Sequence, residues 1–235
     1  MIRDNIASLR KDIALICQRL KRQTQEISLV CVTKGATSQM AFEAIQNGIR
    51  DIGENRIQLA QKKFLELKLL IKNSNQNFSL HYHMVGHLQT NKVKSALLLF
   101  DLIQSVGSLH LAKEIEKQAL KLNKTVDILI QVNTSGELSK FGIRPKEAID
   151  LVSAISKLER IKIKGLMTIA PEVDDIEETR PCFRELRILK ERITREFKHP
   201  QVTMQYLSMG MSNDYRVALE ESSNMIRLGR AIFER

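Results

Sequence analysis

Ile27-Ser28-Leu29-Val30-Cys31-Val32-Thr33-Lys34-Gly35 is a short apolar run, rich in β-branched residues, that stops abruptly at a polar turn. It is too short for an independent helix and is bounded by Gly35, so it predicts a buried strand over Ile27–Val32 with a loop behind it. Runs of the same kind recur along the chain at Ile49–Ile52, Leu80–Val85, Leu102–Val106, Val126–Val132, Ile161–Leu166, Thr203–Leu207 and Met225–Leu228. Eight strands are therefore expected.

Helical patterns fill the intervals. Ile2, Ile6, Leu9, Ile13, Ile16 and Leu20 recur at three- and four-residue steps and predict an amphipathic helix ahead of the first strand. Ile57, Ala60, Phe64, Leu67 and Ile71 form a second stripe, Ala112, Ile115, Ala119 and Leu122 a third, and Phe183, Leu186, Leu189 and Ile193 a fourth. Shorter helices are expected over Gln39–Asn47, His87–Leu99, Lys146–Leu158 and Asn213–Ser222. Strands that alternate with helices imply parallel βαβ units. Eight such units point to an α/β fold closed into a single (β/α)8 TIM barrel with an extra N-terminal helix. The competing open sheet would carry a Rossmann glycine fingerprint, and Gly35 has no partner glycines at that spacing. No Pro/Gly/Ser-rich linker divides the chain, so residues 1–235 read as one domain, with Lys72–Asn77 as a surface loop.

Composition narrows the function classes. The chain has 43% hydrophobic residues and no Trp, so its core is aliphatic. The net charge of +10 is spread along the chain, and Arg19-Leu20-Lys21-Arg22 and Gln61-Lys62-Lys63 fall on polar helix faces. Scattered charge of this kind describes a solvated surface better than a nucleic-acid footprint. Cys17, Cys31 and Cys182 have no metal-ligand spacing and their number is odd, which fits a reducing, cytoplasmic setting. Arg10, Lys11 and Asp12 interrupt the N-terminal segment as a signal peptide, and no apolar run approaches membrane-spanning length.

In a (β/α)8 barrel the chemistry sits on the loops that follow the strands. Polar residues gather there: Thr33-Lys34-Gly35, Gly53-Glu54-Asn55, Gly86-His87, Gln104-Ser105, Asn133-Thr134-Ser135, Ser208-Met209-Gly210-Met211-Ser212 and Arg227-Leu228-Gly229-Arg230. Lys34 closes a strand expected to be buried. An amine that is buried or beside other cations is more readily neutral, and a neutral amine attacks an aldehyde. A lysine that snorkels out of a strand end is the alternative. Ser208–Ser212 and Gly229-Arg230 follow the seventh and eighth strands, whose loops often bind phosphate in this fold, although Ser212 or Asn213 capping a helix would leave the same trace. Gly210 and Gly229 permit close backbone approach. His81, His83 and His87 invite a zinc site but lack a further suitably spaced ligand, so packed or loop histidines are the better account and no metal is expected. Cys31 falls inside the first strand and is not expected to act as a nucleophile.

Taken together and in order, Val30-Cys31-Val32-Thr33-Lys34, Asp51-Ile52-Gly53-Glu54-Asn55, Val85-Gly86-His87-Leu88-Gln89-Thr90-Asn91-Lys92, Val132-Asn133, Ser139-Lys140-Phe141-Gly142, Gly165-Leu166-Met167, Leu207-Ser208-Met209-Gly210-Met211-Ser212 and Ile226-Arg227-Leu228-Gly229-Arg230-Ala231-Ile232-Phe233 resemble the pyridoxal phosphate homeostasis proteins. The resemblance runs from about Ile2 to the C-terminus. It implies a barrel like the N-terminal domain of alanine racemase. It also implies that Lys34 holds pyridoxal 5′-phosphate (PLP) as a Schiff base, with Asn55 near the ring. Ser208, Met209, Gly229 and Arg230 are then expected around the phosphate and Arg227 opposite the pyridine nitrogen. A guanidinium keeps its proton, so the ring nitrogen facing it stays unprotonated and the ring is a weak electron sink.

That combination suits an intracellular vitamin B6 carrier or buffer more than a robust catalyst, and no residue is assigned a catalytic role. PLP, free amino acids and PLP-dependent apo-enzymes are the expected partners; nucleic acid and membranes are not, and the chain is expected to be a monomer. A weak racemase-like PLP activity is the runner-up. Alanine racemases add a β-rich domain and a catalytic tyrosine, whereas this chain closes at Arg235 after strand eight, and Tyr82, Tyr206 and Tyr215 stand in no matching motif. Two-base racemisation would lack its second base. An RNA-binding barrel rests on charge alone.

Overall fold

In the computed structural model, which describes residues 1–137 and 140–234, all eight expected strands form. Ser139 of the resemblance motif and the terminal Arg235 fall outside the described residues. The strands are β1 (Ser28–Val32), β2 (Asp51–Glu54), β3 (His81–Met84), β4 (Leu102–Val106), β5 (Val126–Gln131), β6 (Ile161–Met167), β7 (Val202–Ser208) and β8 (Met225–Leu228). They pair in sequence order, all parallel, and β1 meets β8, so the sheet closes into a barrel. Closure removes every free sheet edge and leaves an inside and an outside.

Side-chain alternation sorts each strand between them. On the inside, Val30, Leu102, Leu129, Met167 and Met225 pack together, with Tyr206 and Ile169 against them. On the outside, Cys31, Ile52, Met84, Ile103, Ile128, Ile163, Leu207 and Ile226 join the larger core beneath the helices. Those helices are α1 (Ile2–Arg19), α2 (Ser38–Gln46), α3 (Ile57–Asn73), α4 (Val93–Leu99), α5 (Leu109–Lys121), α6 (Ala148–Ile155), α7 (Arg180–Glu196), α8 (Tyr215–Glu220) and a single turn, α9 (Arg230–Phe233). Thr37 and Ser108 start α2 and α5 as side-chain N-caps, accepting the amides of Met40 and Leu111.

The extra helix α1 buries Ile2, Ile6, Leu9, Ile13, Ile16 and Cys17 and packs on α2, α8 and α9. Each buried aliphatic side chain contributes about 1.5–3 kcal/mol of transfer free energy against the entropy of ordering it. Asn5 and Arg22 fasten the seam further, donating to the carbonyls of Ile232, Leu219 and Ser223. The C-terminal strand and turn that carry Arg227–Arg230 are thereby held in place by the first helix.

Three local expectations are corrected. Strand two was expected at Ile49–Ile52 and is found at Asp51–Glu54, because its register with β1 aligns Asp51 with Val30. The helix expected over His87–Leu99 begins only at Val93, after an extended Gln89 and a short 3-10 turn. His87 instead stacks on Phe141, with ring centroids 4.1 Å apart. Lys63 does not sit on a polar helix face: its side chain is nearly buried against Glu54. Among the described residues, no helix is long and apolar enough to cross a membrane.

Candidate functional site

At the C-terminal mouth of the barrel lies a cavity of about 400 Å³, a size that suits a substituted ring with a phosphate arm. Val32, Lys34, Val85, Ile169, Met211, Ser212, Arg227, Gly229 and Arg230 are among its lining residues. Four of these come from the expected site: Lys34, Arg227, Gly229 and Arg230.

Lys34 reaches the cavity by a turn and not from within the strand. Pairing between β1 and β2 ends at Val32, and the amide of Ala36 then returns to the carbonyl of Thr33 at 3.0 Å. Gly35 supplies the positive φ of +81° that this turn requires at its third position. Lys34 is therefore exposed at the mouth, and the expectation of a buried lysine is corrected. Its direction is still set by the strand: Val30 is interior and Val32 lines the cavity, so two residues on Lys34 continues the same face.

The peptide ahead of Lys34 is fixed from outside. The Thr33 hydroxyl donates to Glu54 Oε1 at 2.6 Å, and the Lys63 ammonium lies 2.5 Å from that carboxylate oxygen while also donating to the Thr33 carbonyl. A carboxylate buried this deeply needs such a partner. Neither Glu54 nor Lys63 was assigned a role from sequence. The unusual polar pair Gly53-Glu54 at a strand end was the available signal for one; nothing local marks the other.

Arg227 is interior on β8 and only 5% exposed. Its Nη1 donates to the Ser208 hydroxyl at 2.6 Å and its Nη2 to the Thr168 carbonyl at 2.7 Å. Burial lowers its pKa to about 10, opposed by the charge of Asp214, so the group remains a cation at neutral pH. Asp214 is itself pushed above the usual carboxylate range by burial. The amide of Met211 at 2.5 Å and the charges of Arg227 and Lys140 pull it back.

Ser208 and Met209 lie beneath the cavity wall and not on it. The Ser208 hydroxyl is fully buried, accepts from Arg227 and donates to Gln104 Oε1 at 2.6 Å. A hydroxyl has one proton, and here it is committed, so none is left for an anion. The amide of Met209 donates to the Met225 carbonyl at 3.1 Å and its side chain belongs to the core. The Ser208 hydroxyl and the Met209 amide thus both spend their donors inside the barrel wall, before the loop begins. Ser212 does line the cavity, and its hydroxyl accepts the amide of Ala231 at 3.1 Å, which ties the loop after β7 to α9 instead of capping α8. Gly210 sits at φ +97°, and a Cβ there would come within 2.7 Å of Ala218, so its glycine serves packing against α8. A Cβ on Gly229 would meet the Val32 carbonyl at 3.0 Å, which keeps the eighth loop tight against β1.

Asn55 follows β2 and packs against Gly86; its Oδ1 is buried with no hydrogen-bond partner among the described residues. A buried orphan acceptor is costly unless something supplies a donor. The tyrosines stand elsewhere. Tyr215 donates to Asp12 at 2.5 Å, Tyr82 packs on Phe64, and Tyr206 is felt by Asp51 and Asp127 at the strand starts. Among the described residues no cluster of metal ligands forms; His83 is buried against Asp51 and Gln104, and His87 is in its stacked loop. Cys31 is fully buried, and desolvation raises its thiol well above the ordinary range.

The donor set fits the group implied by the resemblance. It offers an amine for an aldehyde, a fixed cation at the base of the cavity, and Arg230 with Ser212 and Gly229 at its rim for a phosphate.

Residues 5–234 match the family model described as alanine racemase, N-terminal domain. The chain is 36% identical to the pyridoxal phosphate homeostasis protein of Aquifex aeolicus over 98% of its own length and 96% of that protein's. It superposes on an unknown protein from Bifidobacterium adolescentis with a TM-score of 0.90, 33% identity and coverage of 99% and 94% of the two chains. The structure of PipY from Synechococcus elongatus PCC7942 with PLP bound matches with a TM-score of 0.83 and 31% identity, covering 99% of this chain and all of that one (100%).

Proposed function

This chain belongs to the pyridoxal phosphate homeostasis protein family, and from that premise we propose that it holds PLP in the cavity at the barrel mouth as a Schiff base on Lys34. One observation carries the proposal: Lys34, Arg227 and Arg230 line a single cavity, matching an amine and two cations to an aldehyde, a ring and a phosphate. PLP supplies, when bound, an aldehyde that condenses reversibly with amines and releases water. The residues of the chain bind and orient it.

Arg227 faces the ring nitrogen as a hydrogen-bond donor. Because its guanidinium stays charged at neutral pH, the ring nitrogen receives a bond and not a proton, which weakens the ring as an electron sink. Asn55 lies beside the ring, where its buried orphan Oδ1 supports a polar contact. Gly229 and Arg230, with Ser212, receive the phosphate at the rim. Ser208 and Met209 serve from behind, the first by orienting Arg227 and the second by packing the loop.

The role supported best is a carrier that buffers PLP and passes it to other amines, free amino acids or PLP-dependent apo-enzymes, without robust turnover. Two-base racemisation of a bound amino acid needs an acid or base on each face, and none of the tyrosines lines the cavity. The test is a visible spectrum of the purified protein with PLP, followed by borohydride reduction and peptide mapping. A yellow band and reductive fixation to Lys34, both lost in Lys34→Ala, are expected. A colourless protein that takes up no PLP in excess sinks the proposal.

A further inference from the structure

Behind the cavity, the barrel interior contains a continuous line of polar side chains that cofactor contacts alone do not require. Arg227 Nη1 donates to Ser208 Oγ at 2.6 Å, and Ser208 Oγ donates to Gln104 Oε1 at 2.6 Å. Gln104 Nε2 lies 3.0 Å from His83 Nδ1, and His83 Nε2 lies 3.0 Å from Asp51 Oδ1. The five residues come from β8, β7, β4, β3 and β2. Arg227, Ser208, Gln104 and His83 are buried, whereas Asp51 opens β2 and is partly exposed. The line therefore runs from a cation at the mouth to a carboxylate near the opposite end.

Each bond dictates the direction of the next. A guanidinium only donates, so the Ser208 oxygen accepts and its one proton points onward to Gln104. The Gln104 amide then sits with oxygen toward Ser208 and nitrogen toward His83, its second N–H directed at Met225 Sδ, 3.2 Å away. His83 Nδ1 must accept, which places the imidazole proton on Nε2 and aims it at Asp51. The reversed amide would press two donors onto Ser208 and an oxygen onto an unprotonated Nδ1. In a dry interior that arrangement leaves buried groups unsatisfied.

We propose that Gln104 is a positioning residue for the cofactor site. By holding the Ser208 hydroxyl as an acceptor, it fixes the Arg227 guanidinium in the orientation that leaves its remaining N–H groups for the ring, and the His83–Asp51 pair anchors the far end. The inference rests on the proposed placement of Arg227 opposite the ring nitrogen and adds residues with no contact to the ligand.

Two measurements test it on the full chain. In the cofactor-free protein, long-range proton–nitrogen NMR on labelled histidine reads the tautomer of His83, independently of PLP. The neutral Nε2–H form is expected, and the Nδ1–H form overturns the relay. PLP titration then compares variants. Gln104→Leu removes the acceptor of Ser208 and should weaken PLP binding about tenfold, with a shifted absorption band. Gln104→Glu keeps an oxygen facing Ser208 and can share one proton between its other oxygen and His83 Nδ1, so it should recover binding to within about threefold of the parent. Equal affinity and an unshifted band in Gln104→Leu, or no recovery in Gln104→Glu, overturns the proposal. If Gln104→Leu does not fold, Gln104→Met, closer in volume, takes its place with the same expected loss. A parent protein that binds no PLP defeats the functional reading instead, while the His83 tautomer still decides the relay.

Discussion

Lys63 of α3 donates a hydrogen bond to the carbonyl oxygen of Thr33, the peptide group that leads directly into Lys34. The same ammonium pairs with Glu54 at 2.5 Å, and Glu54 in turn accepts the Thr33 hydroxyl. A buried ion pair on the outer face of the barrel thus holds still the backbone that presents an exposed amine on the inner face.

Lys63→Met should therefore be more damaging than an ordinary helix substitution. Removing one partner of a buried pair leaves the other charge uncompensated, which costs roughly 3–5 kcal/mol. Chemical denaturation should report that loss, and PLP uptake by the folded fraction should slow. The double variant Glu54→Leu/Lys63→Met should lose less than the sum of the two single variants, because no charge is then stranded. Strict additivity in that cycle would contradict the clamp.

Alanine incubated with the PLP-loaded protein in deuterium oxide should exchange its α-proton no faster than with free PLP at equal concentration. No tyrosine lines the cavity with Lys34, and in the proposed placement Arg227 would leave the ring a weak electron sink. Exchange many times above that background, and dependent on Lys34, would establish the racemase-like alternative.

Gly210→Ala should destabilise the protein by at least about 1 kcal/mol, since an L-residue is strained at positive φ and its Cβ has no room. Here φ is +97° and the Cβ would come within 2.7 Å of Ala218. The Gly210 carbonyl accepts the amide of Arg227 at 2.9 Å, so PLP affinity should fall together with the melting temperature. A variant with parental stability and affinity counts against this account of the loop.

Asp214→Asn should alter the pH dependence of stability in a defined direction. Burial raises the folded-state pKa of Asp214 above its unfolded value, so the folded state binds the proton more tightly. The parent therefore loses stability as pH rises from the unfolded pKa through the folded one. The asparagine variant keeps an acceptor for the Met211 amide and carries no charge to desolvate. Its melting temperature should exceed the parent's at neutral pH, and the difference should shrink in acid. A difference that grows on acidification has the wrong sign.

Much of the molecule was legible in the chain itself. Periodicities of two and near 3.6 are local properties, so the eight strands, the leading helix and the polar strand ends could be read without knowing what touches what. Lys34, Gly229 and Arg230 follow strands and Arg227 lies near the end of one, so their place at the mouth could be read in a fold that gathers its strand ends there. Glu54 and Gln104 could be noted only as polar strand ends, His83 only as a zinc candidate and Lys63 only as a helix-face charge, because their partners lie far along the chain.

Sequence alone determined which segments become strands and which residues stand at the mouth, since both follow from short-range patterning of apolar and polar side chains. Only the closed barrel decided that the Ser208 hydroxyl faces Arg227 and Gln104, that Lys34 is exposed, and that Lys63 is nearly buried. Ser208 and Gln104 are 104 positions apart, and no local pattern encodes their meeting. The direction of a hydrogen bond between them is set only when the sheet closes, water leaves, and each buried donor must find an acceptor within reach.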